Sequence, residues 1–482
     1  MTPDLNAWEP FLLRAARLRK LEAQMDSPSV ALRFEYACLL TEVGRTADAR
    51  AAYLELLAHE PAHAGALNNL GTLLHGTGYR SAARTAYAEA VARHPGDPMG
   101  HVNLANVLAE NGDPTRAREH YETALRQQPD HAEAHQRLAS VLAETGDREG
   151  AERHRLLGFP GRALVTLPYR GERPPVALLL LARAAGGNIP LRHLLDDRIF
   201  QTYVIFPEFF DAATPLPPHN LVFNSIGDAD VAAPALAAAQ ALLARTGAPI
   251  VNSPAAVAET GRGATNLRLF DIPGVVMPNA VTLPRALLTG RDAGRTVALH
   301  GFEFPLLIRT PGFHTGRHFL RIETPEELPA SLAELPGDEL TVLRYLDARA
   351  PDGKARKYRV MMIDGRLYPL HAAISTDWKI HYFTAEMAEN TEHRAEDAAF
   401  LENMPGVLGP VAMTALAMIQ SRLGLDYAGI DFGLNARREI LFFEANATMV
   451  VNPPDPDPKW AYRRPAVERI HAAVRQMLMS RL

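Results

Sequence analysis

Three residues near the end of the sequence carry the clearest chemistry: Asp431, Glu444 and Asn446. They lie in DYAGIDFGLNARREILFFEANATMVV, residues 426–451. Two strand-like runs, 428–435 and 440–446, flank a turn-like Ala436-Arg437-Arg438-Glu439. Side chains alternate faces along a strand. Pairing Asn435 with Ile440 sets Gly433 opposite Phe442 and Asp431 opposite Glu444. Ile430, Phe432, Leu434, Leu441, Phe443 and Ala445 then share an apolar, core-facing side. Asp431, Glu444 and Asn446 share the other side with Gly433, Ile440 and Phe442. Opposed carboxylates on a ladder sit about 4.5–5.5 Å apart at Cβ and repel. A shared proton or an intervening cation offsets that repulsion. Mg²⁺ suits these donors, because it takes hard oxygens from one or two carboxylates, waters and phosphates. A polar, solvent-facing side of an ordinary hairpin would show the same spacing.

The order Asp431, then Glu444-Ala445-Asn446 on the next strand, follows a helical run at 408–423. This arrangement resembles the metal hairpin of the ATP-grasp ligases, the family of glutathione synthetase and D-alanine–D-alanine ligase. The resemblance implies that Asp431, Glu444 and Asn446 hold Mg²⁺ ions bridging the phosphates of ATP. FPLLIR, residues 304–309, ends in Arg309 where the family carries a phosphate-binding lysine. An arginine there offers a planar fork in place of a point charge. Gly312 and Gly316 stand where the family's glycine-rich loop covers the phosphates. ELTVLRYL, residues 339–346, resembles the hinge strand, so the backbone of Arg344, Tyr345 and Leu346 would face adenine. Arg359 matches an arginine that faces phosphate or substrate. Lys379, in DWKIH, falls where members reach the terminal phosphate or the acyl acceptor, and His381 reads as a surface histidine. The family's second ATP-binding lysine is absent from TGRGATNLR, residues 260–268, leaving Arg262 or Arg268 to substitute.

The implied activity is ATP-dependent joining of a carboxylate to an amine through an acyl phosphate, with a small carboxylate or amine as co-substrate. Two alternatives stand beside it. One is a kinase on the same fold, and the other is a scaffold whose second half only binds nucleotide.

These residues must be positioned by a long chain. Its 482 residues exceed one ordinary core, so two or three domains are expected. A formal charge of −5 gives no general reason to expect nucleic acid or an anionic membrane as partner. The one cysteine, Cys38, cannot form an internal disulfide and reads as a small core residue. The N-terminal MTPDLNAWEP lacks the features of a signal peptide, and no apolar run reaches membrane-spanning length. A soluble, cytoplasmic protein is the expectation.

The first third repeats with a period of 34 residues. Gly44, Gly78, Gly112 and Gly146 keep this step, as do Ala49, Ala83, Ala117 and Ala151. Tyr53, Tyr87 and Tyr121 keep it, and so do Pro61, Pro95 and Pro129. Period and residue types resemble the tetratricopeptide repeat (TPR), a helix–turn–helix unit. Units would begin near Val30, Ala64, Pro98 and Ala132, preceded by a capping helix at 5–25. The resemblance implies a groove that takes a peptide or protein partner, lined by Asn68, Asn69, Asn103, Asn106 and Gln136. Residues 158–175, rich in Gly and Pro, read as a short linker that tethers the solenoid near the cleft. Alternating strands and helices follow, and their order resembles a pre-grasp domain. The expected architecture is multidomain: an all-α TPR solenoid at 1–157, an α/β pre-grasp domain at 176–275, and an α+β ATP-grasp fold of two lobes at 276–482.

Overall fold

The structure is a computed structural model that describes residues 9–25, 28–184, 186–191, 193–290, 292–311, 318–380 and 385–482. Helix α1 (Glu9–Glu22) comes first among the described residues. Four helix pairs follow: α2 (Val30–Glu42) with α3 (Thr46–His59), α4 (Ala64–Gly76) with α5 (Arg80–Arg93), α6 (Pro98–Glu110) with α7 (Pro114–Gln127), and α8 (Ala132–Thr145) with α9 (Arg148–Gly158). The pairs begin where the 34-residue register places them. Gly44, Gly78, Gly112 and Gly146 have φ of 75°, 89°, 80° and 92°. That left-handed backbone lets each first helix turn into its second without a Cβ clash. Tyr53, Tyr87 and Tyr121 are buried between the helices. A Cβ on Gly71 would lie 2.5 Å from the Tyr87 ring, so Tyr87 takes glycine beneath it, where the units of Tyr53 and Tyr121 carry Ala37 and Ala105.

Part of the stretch expected as a linker is built into the next sheet. Gly158 closes α9, and β1 (Leu164–Thr166) is a strand of the next sheet. With β2 (Val176–Leu181), β3 (Phe200–Ile205), β4 (Leu221–Asn224) and β5 (Ile250–Val251) it gives the order β1-β3-β2-β4-β5. Strands β2 to β5 run parallel, and β1 is antiparallel to β3. The central strand β2, VALLLL, is apolar along its length, and β4 is apolar up to Asn224, as expected when both faces are covered. The solenoid is docked on this sheet at two places. At its C-terminal end, Phe159 stacks on Phe209 with ring centroids 5.3 Å apart and meets Phe206 edge-on at 4.7 Å. Near its start, Arg14 Nη1 donates to the Tyr169 carbonyl at 3.3 Å, and Gly44 lies against the Arg198 guanidinium.

Beyond this sheet, β6 (Val275–Val276), β7 (Ala280–Pro284), β8 (Leu306–Arg309), β9 (Phe319–Ile322), β10 (Glu339–Arg344), β11 (Ala355–Ile363), β12 (Arg366–Ser375), β13 (Tyr427–Leu434) and β14 (Ile440–Asn446) form two more sheets among the described residues. One is antiparallel, in the order β7-β10-β8-β9, over a core of Leu306, Ile308, Ile322, Leu340 and Val342. The other has the order β12-β11-β13-β14-β6, antiparallel except where β6 joins β14. The helix Met404–Leu423 buries Leu408, Ala412, Leu416 and Ile419 in the core it shares with this mixed sheet.

The first and last sheets are joined by an amide clamp. Asn252 is fully buried, with Nδ2 donating to the Tyr427 carbonyl and Oδ1 accepting from the Tyr427 N–H, each at 2.8 Å. The loop after β4 also presses on residues just past β14. A Cβ on Gly227 would lie 2.8 Å from the Thr448 methyl, so only glycine allows this approach.

Candidate functional site

Cross-strand register assembles the site. Arg359 on β11 pairs with His371 on β12 and with Asp431 on β13, and Asp431 pairs with Glu444 on β14. One row across four adjacent strands therefore carries an imidazole, a guanidinium and two carboxylates. Arg359 holds Asp431 with a fork: Nε to Oδ1 at 2.6 Å and Nη2 to Oδ2 at 2.7 Å. Lys357, two residues earlier on the same face, adds Nζ to Oδ2 at 3.0 Å. The countercharge expected between the carboxylates thus comes, in this arrangement, from β11.

Asp431 is only 4% exposed. Burial by itself raises a carboxyl pKa, but Arg359 and Lys357 outweigh it and hold Asp431 well below the ordinary carboxylate range. Burial likewise opposes the charge on Arg359, and Asp431 outweighs it. For His371, burial first and then Arg359 hold the imidazole well below its ordinary value, so it is neutral. Glu444 is less enclosed and accepts from Asn446 Nδ2 at 2.8 Å. Asn446 Oδ1 accepts from the N–H and the hydroxyl of Thr448, both at 2.9 Å.

The hairpin register differs from expectation on one side of Asp431. The Asp431–Glu444 pair forms, but Phe432 faces Phe442, Gly433 faces Leu441 and Leu434 faces Ile440. A bulge at Phe443 absorbs the extra residue. Phe442 is therefore buried, while Phe443, expected in the core, is 36% exposed. A second bulge lies between β11 and β12, beside Pro369, which has no N–H to give the ladder. It moves His371 opposite Arg359.

The other expected ligand residues lie around this row. After β10 the chain passes Tyr345 and Leu346. Leu346 packs with Ala348, Leu441 and Val276 in a small apolar cluster beside β14. Arg344 is exposed, and its N–H donates to the Asn279 carbonyl at 2.9 Å. A chain of cations and rings spans the two sheets. Arg321 lies 4.3 Å over Tyr345, Tyr345 meets Trp378 edge-on, Trp378 meets Phe319 edge-on, and Arg309 lies 5.9 Å over Phe319. Burial, then Asp347, pushes the Tyr345 phenol above its ordinary value. Lys379 Nζ donates to the Phe319 carbonyl at 3.3 Å, which ties the loop after β12 to β9. Gly312, Gly316 and His381 lie outside the described residues.

Lys357 and His371 had no assigned role from sequence. The alternation of Lys357 and Arg359 was a usable signal, since residues two apart share a strand face. His371 was not, because counting back from the Asp364-Gly365 turn without the bulge puts residue 370 opposite Arg359.

In the solenoid the expected groove amides bond within the fold. Asn68 Nδ2 donates to Asp97 at 3.1 Å, and Asn68 Oδ1 accepts from Asn103 at 3.1 Å. Asn106 accepts from the Tyr121 hydroxyl at 2.6 Å and donates to Glu133 at 3.3 Å. Asn69 donates to Cys38 Sγ at 3.3 Å, and Gln136 donates to the Gly158 carbonyl at 2.8 Å.

Residues 37–98 and 102–153 match the tetratricopeptide repeat family, so the N-terminal solenoid is built of these repeats. Among solved structures, it is similar to MamA from Desulfovibrio magneticus RS-1, at 20% identity and a TM-score of 0.27, over 29% of this chain and 81% of that one. It is also similar to YrrB, described as a TPR protein with an unusual peptide-binding site, at 19% identity and a TM-score of 0.27, over 30% of this chain and 76% of that one. No curated protein matches the chain.

Proposed function

We propose that the chain from Val176 onward is an ATP-grasp carboxylate–amine ligase, and that the repeats bring it a peptide or protein substrate. The observation that carries this reading is the row Arg359–Asp431–Glu444, with Asn446 two residues beyond, next to the apolar cluster of Leu346, Ala348, Leu441 and Val276. An apolar cluster beside a charged row suits a nucleotide, whose base is flat and whose phosphates are anionic. The donors fit magnesium in kind, since Asp431, Glu444 and Asn446 all offer oxygen. When bound, the metal would neutralise charge on the phosphates. Lys357 and Arg359 would bear on phosphate or substrate oxygens, and such fixed charges act most strongly where water is excluded. With Lys357 beside it, the row has two cations and two carboxylates, so it is neutral as it stands. Magnesium and nucleotide together can enter it without leaving a large uncompensated charge. Arg309 and Lys379, both in contact with Phe319, would reach the nucleotide from the antiparallel sheet and from the loop after β12. The substrate carboxylate would accept the terminal phosphoryl group, and an amine would then displace phosphate.

A second reading is a nucleotide-binding scaffold without ligase activity. It is favoured by one observation: both oxygens of Asp431 already engage Arg359 or Lys357.

The test is ADP release from ATP and Mg²⁺ against pools of peptides and amino acids, with mass spectrometry of the products. The ligase reading expects amine-dependent ADP release, and a loss of about a hundredfold or more in Glu444→Gln with the fold retained. Nucleotide binding with no turnover would favour the scaffold. ADP release that needs no amine would point to a kinase.

A further inference from the structure

The strand that carries the chain from the solenoid into the parallel sheet has an open edge. β1 ends the sheet order and pairs with β3 on one side only. The register tells which of its backbone groups are used. Val165 faces Val204, the Phe206 N–H donates to the Ala163 carbonyl, and the Leu167 N–H donates to the Thr202 carbonyl, the last two bonds at 2.9 Å each. Bonding and non-bonding residues alternate along an antiparallel pair, so Ala163, Val165 and Leu167 serve β3. The N–H and C=O groups of Leu164 and Thr166 point the other way, out of the sheet. These two donors and two acceptors have no hydrogen bond among the described residues.

The side chains beside this edge are apolar and uncovered. Leu164, Val165 and Leu167 are 39%, 39% and 40% exposed, so neither face of β1 is packed. Edge strands are ordinarily blunted by a charge or a proline. Neither occurs from Ala163 to Leu167, and Pro168 comes only after the last bond to β3.

The edge also lies between the two anchors of the solenoid. Before β1, Phe159 at the end of the fourth repeat packs on Phe206 and Phe209. After β1, the Tyr169 carbonyl accepts from Arg14 of α1. β3 is flanked in the same way, by Arg198 against Gly44 at its start and by Phe206 at its end. A curved body that meets a line at its two ends turns its concave side toward that line. Stacked repeats are curved in this way and bind along the concave side. That side and the free edge of β1 therefore border one opening. The amides expected to line it are partly committed, since Asn68, Asn69, Asn103, Asn106 and Gln136 each donate within the fold. The unengaged backbone partners at this opening are those of Leu164 and Thr166.

We propose that β1 is the docking strand for the peptide partner of the repeats: an extended segment of that partner adds beside β1, between it and the solenoid. This role rests on the proposed recruitment of a peptide by the repeats and does not depend on the ligase chemistry. Main-chain bonds to Leu164 and Thr166 give the affinity, and alternate side chains give the selectivity. One face of the added segment meets Leu164 and the other meets Val165 and Leu167, so apolar or β-branched residues are favoured there.

The experiment begins with a phage-displayed library of random peptides panned against the full chain, followed by measurements on synthetic copies of the peptides selected. In amide hydrogen exchange, the N–H groups of Leu164 and Thr166 are expected to gain at least about tenfold protection when peptide is bound, with smaller changes at Val165 and Leu167. Strand addition uses every other N–H of the peptide, so N-methylation along it is expected to abolish binding at alternate positions and spare those between. Thr166→Pro removes an outward N–H and no bond to β3, and is expected to weaken binding about tenfold with the fold retained. Should that variant not fold, the N-methyl series still decides, because it leaves the protein unchanged. Peptides that bind Thr166→Pro as tightly as wild type, or that show no alternation, would overturn the proposal. If the same peptides are lost on Asn69→Ala or Asn103→Ala, the repeats still take a peptide and only the role of β1 falls. A panning that yields no peptide removes both. Protection of Leu164 and Thr166 that rises with protein concentration alone assigns the edge to a second copy and also overturns the proposal.

Discussion

The molecule contains two arrays of polar side chains, and they are built on opposite terms. In the solenoid, Asn68, Asn103, Asn106 and Asp97 form short chains of amide and carboxylate bonds across neighbouring repeats. In the mixed sheet, Lys357, Arg359, Asp431 and Glu444 oppose full charges across neighbouring strands. Loss of one neutral amide removes a bond of about 1 kcal/mol. Loss of one member of the buried ion pair strands a charge, which costs about 3–5 kcal/mol. The solenoid array can therefore vary gradually, whereas Lys357, Arg359 and Asp431 in the sheet hold together or fail as a unit.

Five variants press on this contrast. Asp431→Ala leaves the half-buried Arg359 without its fork and should cost about 3 kcal/mol, read by urea denaturation. Restoring packing with Asp431→Leu and Arg359→Met together should recover much of that loss, which a purely local cavity effect would not predict. Glu444→Gln, on the more open side of the row, should keep stability within about 0.5 kcal/mol of wild type while turnover falls as described above. A large stability loss there would show that the row extends its cooperativity to β14. Gly71→Ala drives a methyl into the Tyr87 ring and should cost about 1–3 kcal/mol, confined to the repeats in hydrogen exchange. Asn103→Ala should cost about 1 kcal/mol. No change in stability there would mean that the amide serves partners and not the fold.

What the sequence revealed and what it hid follow from the range of each interaction. The 34-residue columns were visible because every unit repeats the same local contacts, so one phase error would have broken all of them. Asp431 and Glu444 were placed opposite each other because a short turn separates their strands. Beyond that pair the count failed at Phe443, since nothing local distinguishes a bulged phenylalanine from a paired one. Leu164-Val165-Thr166 was hidden among Gly and Pro, and only the presence of β3 makes it a strand. Lys357 and Arg359 reach Asp431 across 74 and 72 residues, a distance at which side-chain alternation fixes a face but not a partner. Asn252 and Tyr427 are 175 residues apart, and no pattern in either segment points to the other.

The two docking places of the solenoid have a mechanical consequence. An array of stacked repeats with one end loose can wind or unwind without resistance, as a spring held in one hand does. Here Arg14 is fastened to Tyr169, and Phe159 is seated between Phe206 and Phe209, with β1 and β3 between the two anchors. A change in superhelical pitch cannot relax at either end. It must be borne as tension along β3, the strand that leads from one anchor to the other. A partner that tightens or opens the coil would therefore do work on the sheet, and the stiffness of that strand would set how far the coil can move.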